Sequence, residues 1–263
     1  MSRLDCHIHI EQGDYTLKWI EKFVDTAVSR NIDEIWLLEH CYRFEEFVPM
    51  YGGVCSASEY INEWFNRKAG VLRLGNYIQL VEKARRKSWR VKIKFGLEVC
   101  YFKEFEELVR DITKSIKFDF LVGSVHFIDN FAFDYKPEHW EGVDVDEVYR
   151  RYFQTSIDLA NSGIYDGIAH PDCVKLFGHK PTFPLNECYN MFAEALAKNN
   201  MYAEQNGGSY RRCPDTAELG MSADLISALH SHGVKIQTAS DAHCPDDVGA
   251  DVCELEERVG RAK

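Results

Sequence analysis

What the chain lacks narrows it first. None of its nine cysteines belongs to a CxxC pair, which argues against a Cys-rich structural zinc site. Scattered, odd-numbered thiols read as reduced groups, not as a disulfide framework. No apolar run approaches the roughly 18 residues of a membrane span. There is no GxSxG elbow, no Walker loop and no strand–GxGxxG–helix unit, and no Ser/His/Asp order stands out. Those absences argue against a serine hydrolase, an NTPase and a dinucleotide-dependent dehydrogenase. Basic residues are in deficit: 31 Lys and Arg face 42 Asp and Glu, a formal charge of −11. Phosphate backbones repel such a chain, so nonspecific nucleic-acid binding is not expected, although a local basic pocket can still hold one small phosphate. No repeat, low-complexity tract or linker divides the 263 residues, and one domain over residues 1–263 is expected. The strand pattern begins by Leu4 with no signal peptide before it, so the expected localisation is cytoplasmic.

What is present is an alternation. Strand-like apolar runs lie near Leu4 to His9, Glu34 to His40, Val91 to Phe102, Phe118 to Phe127, Tyr165 to Pro171, Met201 to Asn206 and Lys235 to Ser240. Helical periodicity falls between them, over Leu17 to Ser29, Asn76 to Lys87, Glu104 to Ile116, Val145 to Asn161, Leu185 to Lys198 and Ser222 to His232. Asp144 and Ser222 suit helix N-caps, and Gly163 and Gly233 stand where helices would end. Seven strands alternating with helices imply a parallel sheet covered by helices, and at this length a distorted (β/α)7 TIM-like barrel. Residues 41–75 interrupt the alternation with Phe44, Phe47, Tyr51, Tyr60, Trp64 and Phe65. Two readings stay open: an insertion packed on the barrel, or a lid over its mouth.

The chemistry sits at the strand ends. Strand one ends in His7 and His9, strand two in Glu39 and His40. Glu98, His126, His170 and Glu204 mark the next four, and Asp241 with His243 the seventh. In parallel α/β barrels these ends share one mouth, where active sites lie. Residues two apart on a strand face the same way, so His7 and His9 can grip one ion. A lone strand histidine is usually a hydrogen-bonded core residue, but convergence at so many ends points to metal. Imidazole and carboxylate without clustered thiolate suit zinc, manganese or iron(II). Cys6, Cys100 and Cys244 neighbour these positions but face the opposite way on a strand, and read as packing. The donors are too many for one tetrahedral ion, so two or three divalent metals are expected, with Glu98 bridging. Such sites hydrolyse, because a metal lowers the pKa of bound water and paired metals stabilise an in-line displacement.

The motifs together resemble the PHP (polymerase and histidinol phosphatase) superfamily. The matching runs are Asp5-Cys6-His7-Ile8-His9, Leu38-Glu39-His40, Gly96-Leu97-Glu98, Gly123-Ser124-Val125-His126, Ile168-Ala169-His170-Pro171-Asp172 and Ala239-Ser240-Asp241-Ala242-His243. They cover nearly the whole chain in order, and within the superfamily the likeness is greatest to stand-alone histidinol-phosphate phosphatases. The resemblance implies a metal-dependent phosphomonoesterase acting on L-histidinol phosphate in histidine biosynthesis. It places one metal on His7, His9, Glu98 and Asp241, a second on Glu98, His126 and His170, and a third on His40, His243 and a ligand from the loop after His9. That loop reads Glu11-Gln12-Gly13-Asp14, a departure from the family pattern, and Glu11 is the ligand taken from it. Glu39 also stands where aspartate is more usual. Glu98, Asp241 and His243 carry the catalytic roles, with the leaving group's proton coming from Asp241 or a metal-bound water. Arg43, Lys175, Arg211 and Arg212 lie just beyond strand ends and are the candidate phosphate contacts. Alternatives are a sugar or nucleotide phosphate as substrate, a non-catalytic PHP module, and a metal-dependent amidohydrolase.

Overall fold

The computed structural model describes residues 3–262. In chain order the elements are β1 (Leu4–His9), α1 (Leu17–Ser29), β2 (Glu34–Leu38), α2 (Gly52–Ala57), α3 (Glu59–Lys68), α4 (Leu74–Arg85), β3 (Lys92–Cys100), α5 (Glu106–Thr113), β4 (Phe120–Ser124), α6 (Val145–Asn161), β5 (Gly167–Ile168), α7 (Asn186–Lys198), β6 (Tyr202–Asn206), α8 (Gly208–Arg212), α9 (Ala223–Ser231), β7 (Ile236–Ala239) and α10 (Val252–Arg261). Side-chain caps open three of the helices: Thr16, Asp144 and Ser222 accept from the backbone N–H groups of Trp19, Glu147 and Leu225. The strands pair in parallel in the order β1 to β7. The ring is nearly closed, since the His9 N–H donates to the Ala242 carbonyl at 2.7 Å and the Thr238 hydroxyl to the Leu4 carbonyl at 2.7 Å.

One irregularity sets the site. Between Asp5 and Ile8 the pairing of β1 slips against β2, with Cys6 and His7 on one strand opposing Trp36 alone on the other. Such a bulge flips the side-chain alternation. Leu4 and Cys6 therefore join the barrel interior, with Trp36, Leu38, Phe120, Val122, Ala169, Tyr202 and Ala239. His7 and His9 then turn to the mouth, while Ile8 and Ile10 pack outward against the helices. Two interior rings fit only because glycine faces them. A Cβ on Gly96 would lie 2.5 Å from the Phe120 ring, and one on Gly167 2.3 Å from the Tyr202 ring.

Three outcomes bear most on the sequence reading. The fifth strand, expected over Tyr165 to Pro171, is only Gly167–Ile168, because His170 turns the chain at φ +32°. Helix α10 was not expected; Val252 and Leu255 bury its inner edge. Residues 41–75 are both of the things the sequence left open. Phe44, Phe47, Tyr51 and Phe65 are buried against the barrel, and Tyr42, Tyr51, Ile61 and Trp64 wall the cavity above the mouth.

Candidate metal centre

All seven strand ends deliver a histidine or carboxylate to one mouth, and Glu98 stands at its middle. Its Oε2 lies 3.5, 3.4 and 2.7 Å from His7 Nε2, His9 Nε2 and His40 Nδ1. Its Oε1 lies 3.2 and 3.4 Å from His126 Nε2 and His170 Nε2. Asp241 Oδ1 approaches His7 Nε2 and His9 Nε2 at 3.6 Å and His243 Nε2 at 3.5 Å. Three groups each offer donor atoms lying within 4.8 Å of one another: His7, His9 and Glu98; Glu98, His126 and His170; and His9, His40 and His243. Glu11 reaches the last group through His243 Nδ1, at 2.8 Å.

Two carboxylates outside the ligand set expected from the sequence stand behind the rings. Glu204 accepts from His7 Nδ1 at 2.9 Å and Asp134 from His126 Nδ1 at 2.7 Å. Each bond fixes a tautomer and leaves the Nε2 lone pair facing the cluster, the arrangement that orients metal-binding histidines. His7 Nε2 and His9 Nε2 consequently face each other at 2.9 Å, and His9 Nδ1 has no hydrogen-bond partner. Imidazole nitrogens gathered this closely beside two carboxylates, with no thiolate among them, are a donor set that a divalent cation satisfies at once, so the residues present fit metal. The sequence placed Glu204 at the mouth as the sixth strand's residue, but not its role behind His7. Asp134 sits in a loop, where no periodicity marks it.

The charges interlock. Burial alone would raise the Glu98 carboxyl, yet His40, His126 and His170 hold it well below the usual carboxylate range. Asp241 is likewise depressed against burial, chiefly by His7 and His243. Burial opposes protonation of His126, but Asp134 with Glu98 pushes it up to about 10. Asp241 and Glu11 do the same for His243, also to about 10, and Glu11 falls to about 2 despite its burial. His170 and Asp241 both hold positive φ, +32° and +58°. Side-chain-bearing residues in that region cost about 1–3 kcal/mol, and such strain collects at functional sites. A Cβ on Gly208 would meet Asp241 Oδ2 at 2.2 Å, so glycine there gives Asp241 its place.

The mouth opens into a cavity of about 710 Å³, which Arg211, Arg212 and Lys136 line together with His40, Glu98, His126, His170, Asp241 and His243. Arg211 donates to the Ser240 carbonyl and Arg212 to the Tyr135 carbonyl at 3.1 Å. The other two candidate phosphate contacts lie elsewhere. Arg43 sits against Tyr15 and Glu39, and Glu39 turns away from the mouth to accept from the Ile10 N–H at 3.1 Å. Lys175 is tied to Asp172 at 2.7 Å, Glu218 at 3.2 Å and the Gly220 carbonyl at 2.8 Å. All nine cysteines are free; Cys6 and Cys100 are buried and Cys244 is half-buried.

Fold and site together define a class: a parallel α/β barrel whose strand ends present clustered imidazole and carboxylate donors at one mouth. A family model described as the PHP domain matches residues 5–207, and the chain belongs to that family. A protein of Deinococcus radiodurans named "Probable histidinol-phosphatase" is 28% identical over 181 residues, 67% of this chain and 68% of the relative. A Lactococcus lactis protein named "Histidinol-phosphatase" is 24% identical over 180 residues, 68% of this chain and 60% of the relative. Among solved structures, a histidinol phosphate phosphatase of Lactococcus lactis, complexed with zinc, L-histidinol and phosphate, superposes with a TM-score of 0.71 at 21% identity, covering 99% of this chain and 94% of that one. A structure from Listeria monocytogenes gives 0.74 at 17% identity, covering 96% and 99%. At those identities the superpositions speak for the fold. No helix among the described residues is long and apolar enough to cross a membrane.

Proposed function

We propose that this chain is a metal-dependent phosphomonoesterase that hydrolyses L-histidinol phosphate to L-histidinol and phosphate, a step of histidine biosynthesis. The observation that carries the reading is the sharing of Glu98 between two donor groups, with its two oxygens facing different sets of histidines. His7, His9, Glu98 and Asp241 would hold one ion, and Glu98, His126 and His170 a second. His40 and His243, with His9 and Glu11 at the edge, would hold a third. Zinc, manganese and iron(II) all suit this donor set. Bound there, such ions supply an activated water and neutralise charge on the phosphate. The names of the relatives support the substrate.

The chain's own residues do the rest. Arg211 and Arg212 present guanidinium groups to the phosphate oxygens from the cavity wall. Asp241, ionised across the neutral range, accepts the proton of the attacking water and passes it to the leaving alkoxide, so that water and ester balance as alcohol and phosphate. Glu204 and Asp134 hold His7 and His126 in register. The free thiols suit a reducing compartment, and we place the protein in the cytoplasm as a single catalytic domain. The test is phosphate release from a panel of esters, alongside metal analysis of the purified protein. The reading expects bound divalent metal and highest kcat/KM on L-histidinol phosphate. A sugar or nucleotide phosphate turned over more efficiently would replace the substrate, and a metal-loaded protein inert on every ester would overturn the activity.

A further inference from the structure

Four of the five tryptophans have their indole N–H satisfied. Trp19 donates to the Ile10 carbonyl at 2.8 Å, Trp36 to Glu34 Oε1 at 2.6 Å, Trp89 to the Ala84 carbonyl at 2.9 Å and Trp140 to the Phe133 carbonyl at 2.8 Å. Trp64 makes no such bond among the described residues, and it lines the cavity. Its neighbour Tyr42 repeats the pattern. The Tyr51 hydroxyl behind it meets Cys41 Sγ at 3.3 Å, whereas the Tyr42 hydroxyl has no partner among the described residues and also lines the cavity. Tryptophan and tyrosine normally satisfy their polar edges when they are withdrawn from bulk water. Neither edge of this half-buried pair is sealed from solvent; both face the cavity, where a bound ligand can meet them.

The placement is also informative. The His40 and Tyr42 rings lie 4.8 Å apart, and Tyr42 and Trp64 5.0 Å apart in an edge-to-face arrangement. The pair thus steps outward from the centre, beginning beside a donor histidine. Behind it Tyr51 packs on Phe65 at 4.8 Å and on Phe102 at 5.3 Å, so the wall is held before anything binds. The same cavity is lined by Arg211 and Arg212, the cations that suit phosphate.

We propose that Trp64, with Tyr42, docks the aromatic head of the substrate, making the 41–75 insertion the element that sets specificity. The inference rests on the phosphatase reading above. The phosphate is held at the donor groups and the arginines, while the imidazole lies against the Tyr42 and Trp64 rings with the open N–H and O–H edges within reach of its nitrogens. Stacking of a flat heterocycle on an aromatic side chain contributes about 1–3 kcal/mol.

The test compares Trp64→Leu, which keeps bulk without a ring, with Trp64→Phe, which keeps a ring. The measurements are KM and kcat for L-histidinol phosphate and the inhibition constant of inorganic phosphate, a probe with no ring. We expect KM to rise about tenfold in the leucine variant, or ~1.4 kcal/mol. It should stay within about threefold in the phenylalanine variant, in line with that stacking contribution. The phosphate constant and kcat should stay unchanged in both. An unchanged KM in Trp64→Leu, or KM and the phosphate constant rising in parallel, would overturn the inference while leaving the phosphatase reading intact. Wild-type protein that does not turn over L-histidinol phosphate would sink both.

Discussion

The inward faces of the same seven strands carry two layers of opposite character. The lower layer is an apolar plug of Cys6, Trp36, Leu38, Phe120, Val122, Ala169, Tyr202 and Ala239. The layer above it holds His7, His9, Glu98 and Glu204, fully or nearly fully buried and mutually hydrogen-bonded or paired. Burying that many ionisable groups costs free energy that a plug of the same volume would not. The difference teaches a division of labour: the plug stabilises the barrel, and the layer above is placed for chemistry at the expense of stability. Substitutions in the two layers should therefore fail in different ways.

The largest effect is expected at Glu98. Glu98→Gln keeps the size of the side chain but removes the charge that both donor groups share. We expect kcat to drop at least a thousandfold, about 4 kcal/mol of activation free energy, with bound metal falling in parallel and the melting temperature of the metal-free protein little changed. Near-normal turnover with full metal content would break the comparison at its centre.

The converse holds in the plug. Phe120 is 3% exposed and packs on Trp36 at 4.8 Å. Phe120→Ala should destabilise the fold by about 3–5 kcal/mol, through lost contacts and the cavity left behind. Denaturant titration measures this. The surviving folded fraction should keep its turnover per bound metal, and a large loss of kcat at full folding would mean that the layers are not separable.

Much of this division was legible in the sequence, and for a physical reason. Strand ends are marked where apolar runs stop, so His7, His9, Glu98, His126, His170, Asp241 and His243 could be assigned to one mouth from order alone. The β1 bulge was not legible, since nothing in the run from Leu4 to His9 distinguishes a regular alternation from one carrying an extra residue. Nor was the brevity of β5, which depends on the φ of His170. Asp134 stands only eight residues after His126, but in a loop whose fold the sequence does not mark, and the walls from residues 41–75 arise from contacts between segments far apart in sequence. Arg43 and Lys175 show a related limit: Glu39 and Asp172 stand close by in the sequence, but nothing in it tells that these carboxylates, not the mouth, engage the two cations.

Between the two layers' extremes lie the carboxylates behind the rings. Asp134→Asn and Glu204→Gln leave volume and fold in place but weaken the hold on the His126 and His7 tautomers. Losses of about 10- to 100-fold in metal affinity or activity are expected, the range for partners of ligating histidines. Titration of the metal-free variants with zinc would show it, and wild-type affinity in both would reduce these contacts to bystanders. The pH sense follows from the cause. Asp134 raises the folded-state pKa of His126 to about 10, so in the metal-free protein its stabilising contribution is fully present below the unfolded histidine value of about 6.5 and is lost as pH rises through 10. Asp134→Asn should weaken that dependence, leaving the part that Glu98 supplies.

The smallest effect separates two cations that the sequence could not tell apart. Arg212 lines the cavity with one guanidinium nitrogen on the Tyr135 carbonyl, and its remaining donors are available to a phosphate. Arg212→Ala should raise KM several-fold and weaken inhibition by inorganic phosphate in proportion, because a charge-assisted hydrogen bond contributes about 1.5–3 kcal/mol when its partners are desolvated and less at a half-open rim. Lys175 is instead engaged by Asp172, Glu218 and the Gly220 carbonyl, outside the cavity. Lys175→Met should leave KM and phosphate inhibition unchanged. It should lower stability by about 1–3 kcal/mol, since Glu218 keeps a second partner in Arg258 at 2.7 Å but the buried Asp172 loses its cation and retains the Ser222 N–H. Side-by-side phosphate inhibition of the two variants decides the matter. Equal weakening would place Lys175 on the path of the substrate, and the two layers would then extend beyond the walls drawn for them.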